Sequence, residues 1–191
     1  MDELAPLAAE VHAFWFGPPP FAGRPEWFRK DPAFDATIRA RFGDAVAAAC
    51  AGAYGEWCAT PRGALARVIL LDQFTRNIGR DTPAAFAGDA RALATAEDAI
   101  ARGFDRALDP VERPFLYLPF EHAEDVALQD RSLALFGELA QETGRDDLLD
   151  WAQRHADIVR RFGRFPHRNA ALGRASTQDE IAFLATPGSG F

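Results

Sequence analysis

A chain of 191 residues, 48% hydrophobic and 26% charged, has the composition of an ordinary globular protein and is long enough to bury a core without disulfide or metal staples. No apolar run approaches the ~18 residues of a membrane span, and a net charge of −7 argues against general nucleic-acid binding. The start, Met1-Asp-Glu-Leu-Ala-Pro, lacks the basic region of a secretory signal, and Cys50 and Cys58 form no C-x-x-C pair, so the expected setting is the cytoplasm.

Helix signals follow one another along the chain. Leu4, Leu7, Ala8, Val11, Phe14 and Trp15 recur at helical spacing, and Gly17-Pro-Pro-Pro20 ends that helix. Residues 18–25 read as an extended loop, packed onto the domain by Phe14, Trp15, Phe16, Trp27 and Phe28. Asp31 caps the next helix, with Pro32 at its first position and Phe34, Ile38 and Phe42 on one side. Thr60-Pro61 opens a helix to about Ile78, Thr82-Pro83 one that ends near Gly103, and Asp109-Pro110 a short one. Pro119 precedes a long helix that stops near Gly144. Asp146 or Asp147 begins another that ends at Gly163, and Thr177-Gln-Asp-Glu180 is a capping box for a last short helix. Alternating β-branched runs are missing. The expected fold is all-α, one domain over residues 1–191, with about eight stacked antiparallel helices.

Three of these helices put polar residues where the pattern calls for apolar ones. At 100° per residue, Asp72 and Arg76 fall within roughly 20° of Leu65, one turn apart in a buried stripe. A buried charge is costly unless paired, so the two form either an ion pair that fixes helix register or the wall of a wet pocket. His122 shares a stripe with Val126, Gln129, Leu133, Phe136 and Ala140, with Asp125 at its edge. His155 lies at the centre of the face formed by Leu148, Ala152, Val159 and Phe162. A lone histidine on such a face is usually a satisfied core residue. Its company on two other helices is what marks it, since consistent sequences break the pattern mainly at functional or strained sites.

Several stretches in order carry a family resemblance: Phe14-Trp-Phe-Gly17, Trp27-Phe-Arg-Lys-Asp-Pro-Ala-Phe-Asp35, Leu71-Asp-Gln-Phe-Thr-Arg-Asn77, Tyr117-Leu-Pro-Phe-Glu-His-Ala-Glu-Asp125, Arg164-Phe-Pro-His-Arg-Asn169, Leu172-Gly-Arg174 and Pro187-Gly-Ser-Gly-Phe191. They resemble the bacterial family catalogued as domain of unknown function 924. The resemblance implies an all-α fold similar to the tetratricopeptide-like helical superfamily, built from helical hairpins, and it brings no established activity. Thr75 stands where the family motif has a proline that would bend the helix.

Three chemistries fit these residues. Arg76, Arg164, Arg168 and Arg174 offer forked donors for carboxylate or phosphate, with Asn77, Asn169 and His167 as neutral donors and Asp72 to hold an arginine in place. No phosphate-cradling glycine motif is present. Two or three histidines with a carboxylate suit zinc or iron, but no H-E-x-x-H occurs and the residues come from separate elements, so no metal ligands and no cofactor are assigned. A hydrolase would use His122 as base, oriented by Glu121, Glu124 or Asp125, on an activated water. The expected function is binding of a small anionic ligand, or of an acidic group on a peptide partner. The ligand-binding candidates are Asp72, Arg76, Asn77, Arg164, Arg168, Asn169 and Arg174, and the catalytic candidates are His122, Asp125, His155 and His167. The alternatives are a hydrolase in the same pocket and an interaction scaffold with a structural polar network.

Overall fold

Caps legible in the sequence start helices in the computed structural model, which describes residues 4–190; Met1–Glu3 of the acidic start and Phe191, the last residue of the Pro187–Phe191 motif, lie outside the described residues. Asp31 accepts the Ala33 and Phe34 N–H groups, Thr60 accepts that of Gly63, and Thr177 with Glu180 forms the full capping box. The helices are α1 (Pro6–Phe16), α2 (Pro32–Cys50), α3 (Pro61–Val68), α4 (Thr75–Ile78), α5 (Asp89–Ala101), α6 (Arg113–Glu121), α7 (Val126–Thr143), α8 (Asp146–Phe162) and α9 (Gln178–Leu184). No strand occurs among the described residues, so the fold is all-α. No described helix is long and apolar enough to cross a membrane. The chain forms two compact units: the residues up to Arg80 with Ala84–Pro119, and Asp81–Pro83 with the residues from Phe120 on.

The first unit is built around one continuous helical rod, in which α3 and α4 are joined by a π-helical segment, Ile69–Phe74. Leu65, Val68, Ile69, Leu70, Leu71 and Phe74 are all fully buried, so the rod buries apolar side chains on more than one face. Helices α1 and α5 pack on α3, and α2 packs on the π segment and α4. The π segment ends at Thr75, whose hydroxyl donates to the Leu71 carbonyl at 2.8 Å. That back-bond lets threonine occupy an irregular helical site without proline's missing N–H. The loop after α1 is tied down by Arg24, which donates to the Phe14 and Trp15 carbonyls, and by Trp27, which donates to the Trp15 carbonyl and packs edge-on against Phe115.

Two boundaries differ from the sequence reading. Thr82-Pro83 opens only a 3-10 turn, Pro83–Phe86, and α5 starts at Asp89 after Gly88. Pro119 lies inside α6 rather than at the head of a long helix, and the chain breaks between Glu121 and Val126. The break has a physical cause. Asp125 caps α7 by accepting the Leu128 N–H, while the buried Gln129 amide donates to the Glu121 carbonyl at 2.7 Å and the Ala123 carbonyl at 2.8 Å, satisfying the end of α6.

In the second unit, α7 and α8 form a tight hairpin, with Gly144 in the left-handed conformation at the C-cap of α7. Gly163 ends α8 in the same way, and the chain then turns back so that Phe165 joins Ile158 and Val159 in a core flanked by Phe162 and Phe183.

The approach of α5 to the rod gives a test. A Cβ at Gly88 would lie 2.1 Å from the Leu71 carbonyl oxygen, whereas one at Gly137, within α7, meets nothing. Gly88→Ala is expected to lower stability by about 1–3 kcal/mol, and Gly137→Ala to raise it by about 0.5–1 kcal/mol. Urea midpoints at unchanged m-value measure both; a tolerated Gly88→Ala would contradict the packing described.

Candidate functional site

Helix α8 turns His155 into the second unit because its polar residues Gln153, Arg154, Asp157, Arg160 and Arg161 all take the other face. His155 is 6% exposed. Its Nδ1 lies 2.9 Å from the Trp151 carbonyl oxygen, one turn back, and 3.2 Å from Glu121 Oε1. Both neighbours are acceptors, so Nδ1 carries the proton and Nε2 holds the lone pair. Burial, followed by the positive character of His122, Arg168 and His167, pushes the imidazole down to about 3, so it is neutral at physiological pH.

Glu121 and His122 come from the last residue of α6 and the break after it. The Glu121 carboxylate is buried, the His122 ring is partly exposed, and the two imidazole centroids stand 6.1 Å apart. One ligating atom from each of Glu121, His122 and His155 falls within 4.8 Å of the others. The loop after α8 closes over this group: Phe165 meets the His155 ring edge-on at 5.6 Å, His167 leans on Phe165, and Arg168 stacks 4.4 Å over the same ring while donating to the His122 carbonyl at 3.0 Å. Of the catalytic candidates, His122 and His155 therefore lie together and His167 stands beside them, joined by Phe165. Asp125 is spent on the N-cap of α7.

The ligand-binding candidates have partners inside the fold. In the first unit, Arg76 pairs with Asp72 at 3.0 Å and with Asp89 at 2.9 Å, and Asn77 donates to Asp35. In the second, Arg164 grips both oxygens of Glu180 and also donates to the Ala175 carbonyl. Asn169 donates to Ser176 and Glu180 and accepts from Arg174, which holds both oxygens of Glu124. Burial alone would raise the Glu124 carboxyl, but Arg174 and the Phe165 N–H outweigh it and hold it below the ordinary value. A cleft of about 470 Å³ on this unit is lined by Arg161, Phe162, Arg164, Thr177, Asp179 and Glu180, none of them from the histidine cluster.

The sequence names Glu121 and Glu124 as carboxylates that could orient His122, but not that Glu124 holds Arg174 or that Glu121 lies against His155. Glu180, which holds Arg164, is legible only as a capping-box residue.

These observations define an all-α protein with a buried imidazole and carboxylate cluster at a helix break. The chain belongs to the bacterial family of proteins of unknown function DUF924, whose sequence profile matches residues 11–188. It is similar to ATU0120, a protein of unknown function from Agrobacterium tumefaciens, at 43% identity and a TM-score of 0.85 over 96% of this chain and 99% of that one. No curated protein matches it.

Glu180 supplies a pH test of the strut role of Arg164. The Arg164 hydrogen bond first, then the Thr177 N–H, hold this carboxyl at about 2 against an ordinary 4.5. A depressed folded-state value gives stability that is present above the unfolded value and lost as pH falls through the folded one. Between pH 5 and pH 2 the wild type should lose more thermal stability than Glu180→Gln or Arg164→Ala. Parallel acid profiles for the three proteins would show that the pair contributes nothing to folding.

Proposed function

We propose that the Glu121, His122 and His155 cluster is a hydrolytic centre acting on a small anionic substrate. One observation carries the reading: a buried carboxylate and two imidazoles converge at a helix break, with one imidazole fixed as the Nδ1-H tautomer by a backbone carbonyl. The cluster has what water activation requires, namely basic atoms to take a proton from water as its oxygen bonds to the carbonyl carbon or phosphorus, and to return that proton to the leaving group as its bond breaks. Arg168 and His167, at the edge of the cluster, give it the positive character that favours an anionic substrate group.

The arginines that pair with Glu124 and Glu180 support this reading over a pocket of arginine forks, because their donors already serve the protein's own carboxylates. The reading keeps the cytoplasmic setting, in which Cys50 and Cys58 remain thiols.

The test is turnover of p-nitrophenyl phosphate, bis(p-nitrophenyl) phosphate and a succinylated p-nitroanilide. The wild type is expected to hydrolyse at least one of them. Glu121→Gln and His155→Gln should each lower kcat/KM by about 100-fold or more while circular dichroism shows the helices intact. Absence of turnover on all three probes, or turnover unchanged in both folded variants, contradicts the proposal.

A further inference from the structure

We infer that Glu121, His122 and His155 together bind one divalent transition-metal ion of the zinc class. The inference rests on the hydrolytic reading of the same centre and names what activates its water. Sequence spacing assigns no metal here, because two of the ligands sit at the end of α6 and the third in the middle of α8. Folding removes that objection by bringing one ligating atom of each within 4.8 Å of the others.

The donor set selects the ion. Two imidazole nitrogens and one carboxylate oxygen suit zinc, cobalt, nickel or iron(II), whereas calcium and magnesium demand oxygen cages. Three protein ligands also leave a coordination position for water, which is the arrangement of hydrolytic zinc sites rather than structural ones.

The surroundings of His155 make the stronger argument. A ligating histidine presents one nitrogen to the metal and gives its other N–H to a carbonyl or carboxylate, which fixes the ring and raises its basicity. His155 has a contact of this kind in place, with Nδ1 2.9 Å from the Trp151 carbonyl oxygen and 3.2 Å from Glu121 Oε1. The site is walled by Phe165 on one side, and Arg168 braces the His122 backbone through its carbonyl.

Four-coordinate bonds of about 2.0–2.2 Å place donor atoms roughly 3.4 Å apart. The three ligands must therefore draw together by at most about 1.4 Å from a spread bounded at 4.8 Å. Of the three, His122 is the partly exposed one and lies in the break between α6 and α7.

The test uses full-length protein stripped with chelator and dialysed. Calorimetric titration with zinc chloride should give one ion per chain, and cobalt(II) should develop the intense visible absorption of a four- or five-coordinate site. His122→Ala, at a partly exposed position outside any helix, and Glu121→Gln should each weaken zinc binding by at least about 10–100-fold. Asp157→Asn, an exposed acid on α8, should leave it unchanged. No saturable binding near one ion per chain, or equal affinity in the wild type and both ligand variants, overturns the inference. The two readings separate cleanly. Hydrolysis that persists in stripped protein with excess chelator sinks the metal and leaves the hydrolase, whereas one tightly bound ion lost in His122→Ala without turnover of any probe does the reverse.

Discussion

The second unit depends on one carboxylate. Glu124 accepts the Phe165 N–H at 2.8 Å and both arms of the Arg174 guanidinium at 2.6 and 2.9 Å. Those contacts join the break after α6 to the loop after α8, which closes over the candidate centre. Phe165 is held against His155, Arg168 is delivered to the His122 carbonyl, and the Arg174 Nε is free to orient Asn169. Charge-assisted bonds of this kind are worth about 1.5–3 kcal/mol each where solvent is partly excluded, enough to hold a loop that carries few apolar anchors of its own.

The loop is pinned by contacts that lie outside the histidine cluster. The arginines and asparagines around it satisfy Glu124 and Glu180, and the helix ends are satisfied by Asp125, Gln129 and Thr177. The cluster itself combines a buried imidazole, a buried carboxylate and a second, partly exposed imidazole. Such groups are expensive to desolvate, which makes a cluster of them a candidate functional site.

Much of the fold was legible because caps are local. Asp31-Pro32, Thr60-Pro61 and Thr177 to Glu180 each place their own hydrogen-bond acceptor beside the N–H groups it serves, and the two ends of α8 are marked by Asp146 and Gly163. The misread boundaries depend on longer reach. The break before Val126 requires Gln129 to donate back to Glu121 and Ala123, and Pro119, which reads as the boundary between the short helix from Asp109-Pro110 and the long one, lies inside α6. The buried stripe of Asp72 and Arg76 was visible from periodicity, although the π segment through Ile69–Phe74 alters the 100° step on which that arithmetic relies. For the candidate centre, His155 and His122 stood out as polar residues on apolar faces. Their union with Glu121, and the capture of Arg164 and Arg174 by acids, are tertiary facts with no sequence spacing to announce them.

The most direct measurement is anomalous diffraction from crystals grown with stoichiometric zinc, with data collected on both sides of the zinc absorption edge. The account predicts a single strong difference peak about 2.0–2.2 Å from a Glu121 oxygen and from one nitrogen each of His122 and His155, with the Nδ1 of His155 still on the Trp151 carbonyl. Zinc found only on exposed carboxylates, with no peak among these three side chains, would contradict it.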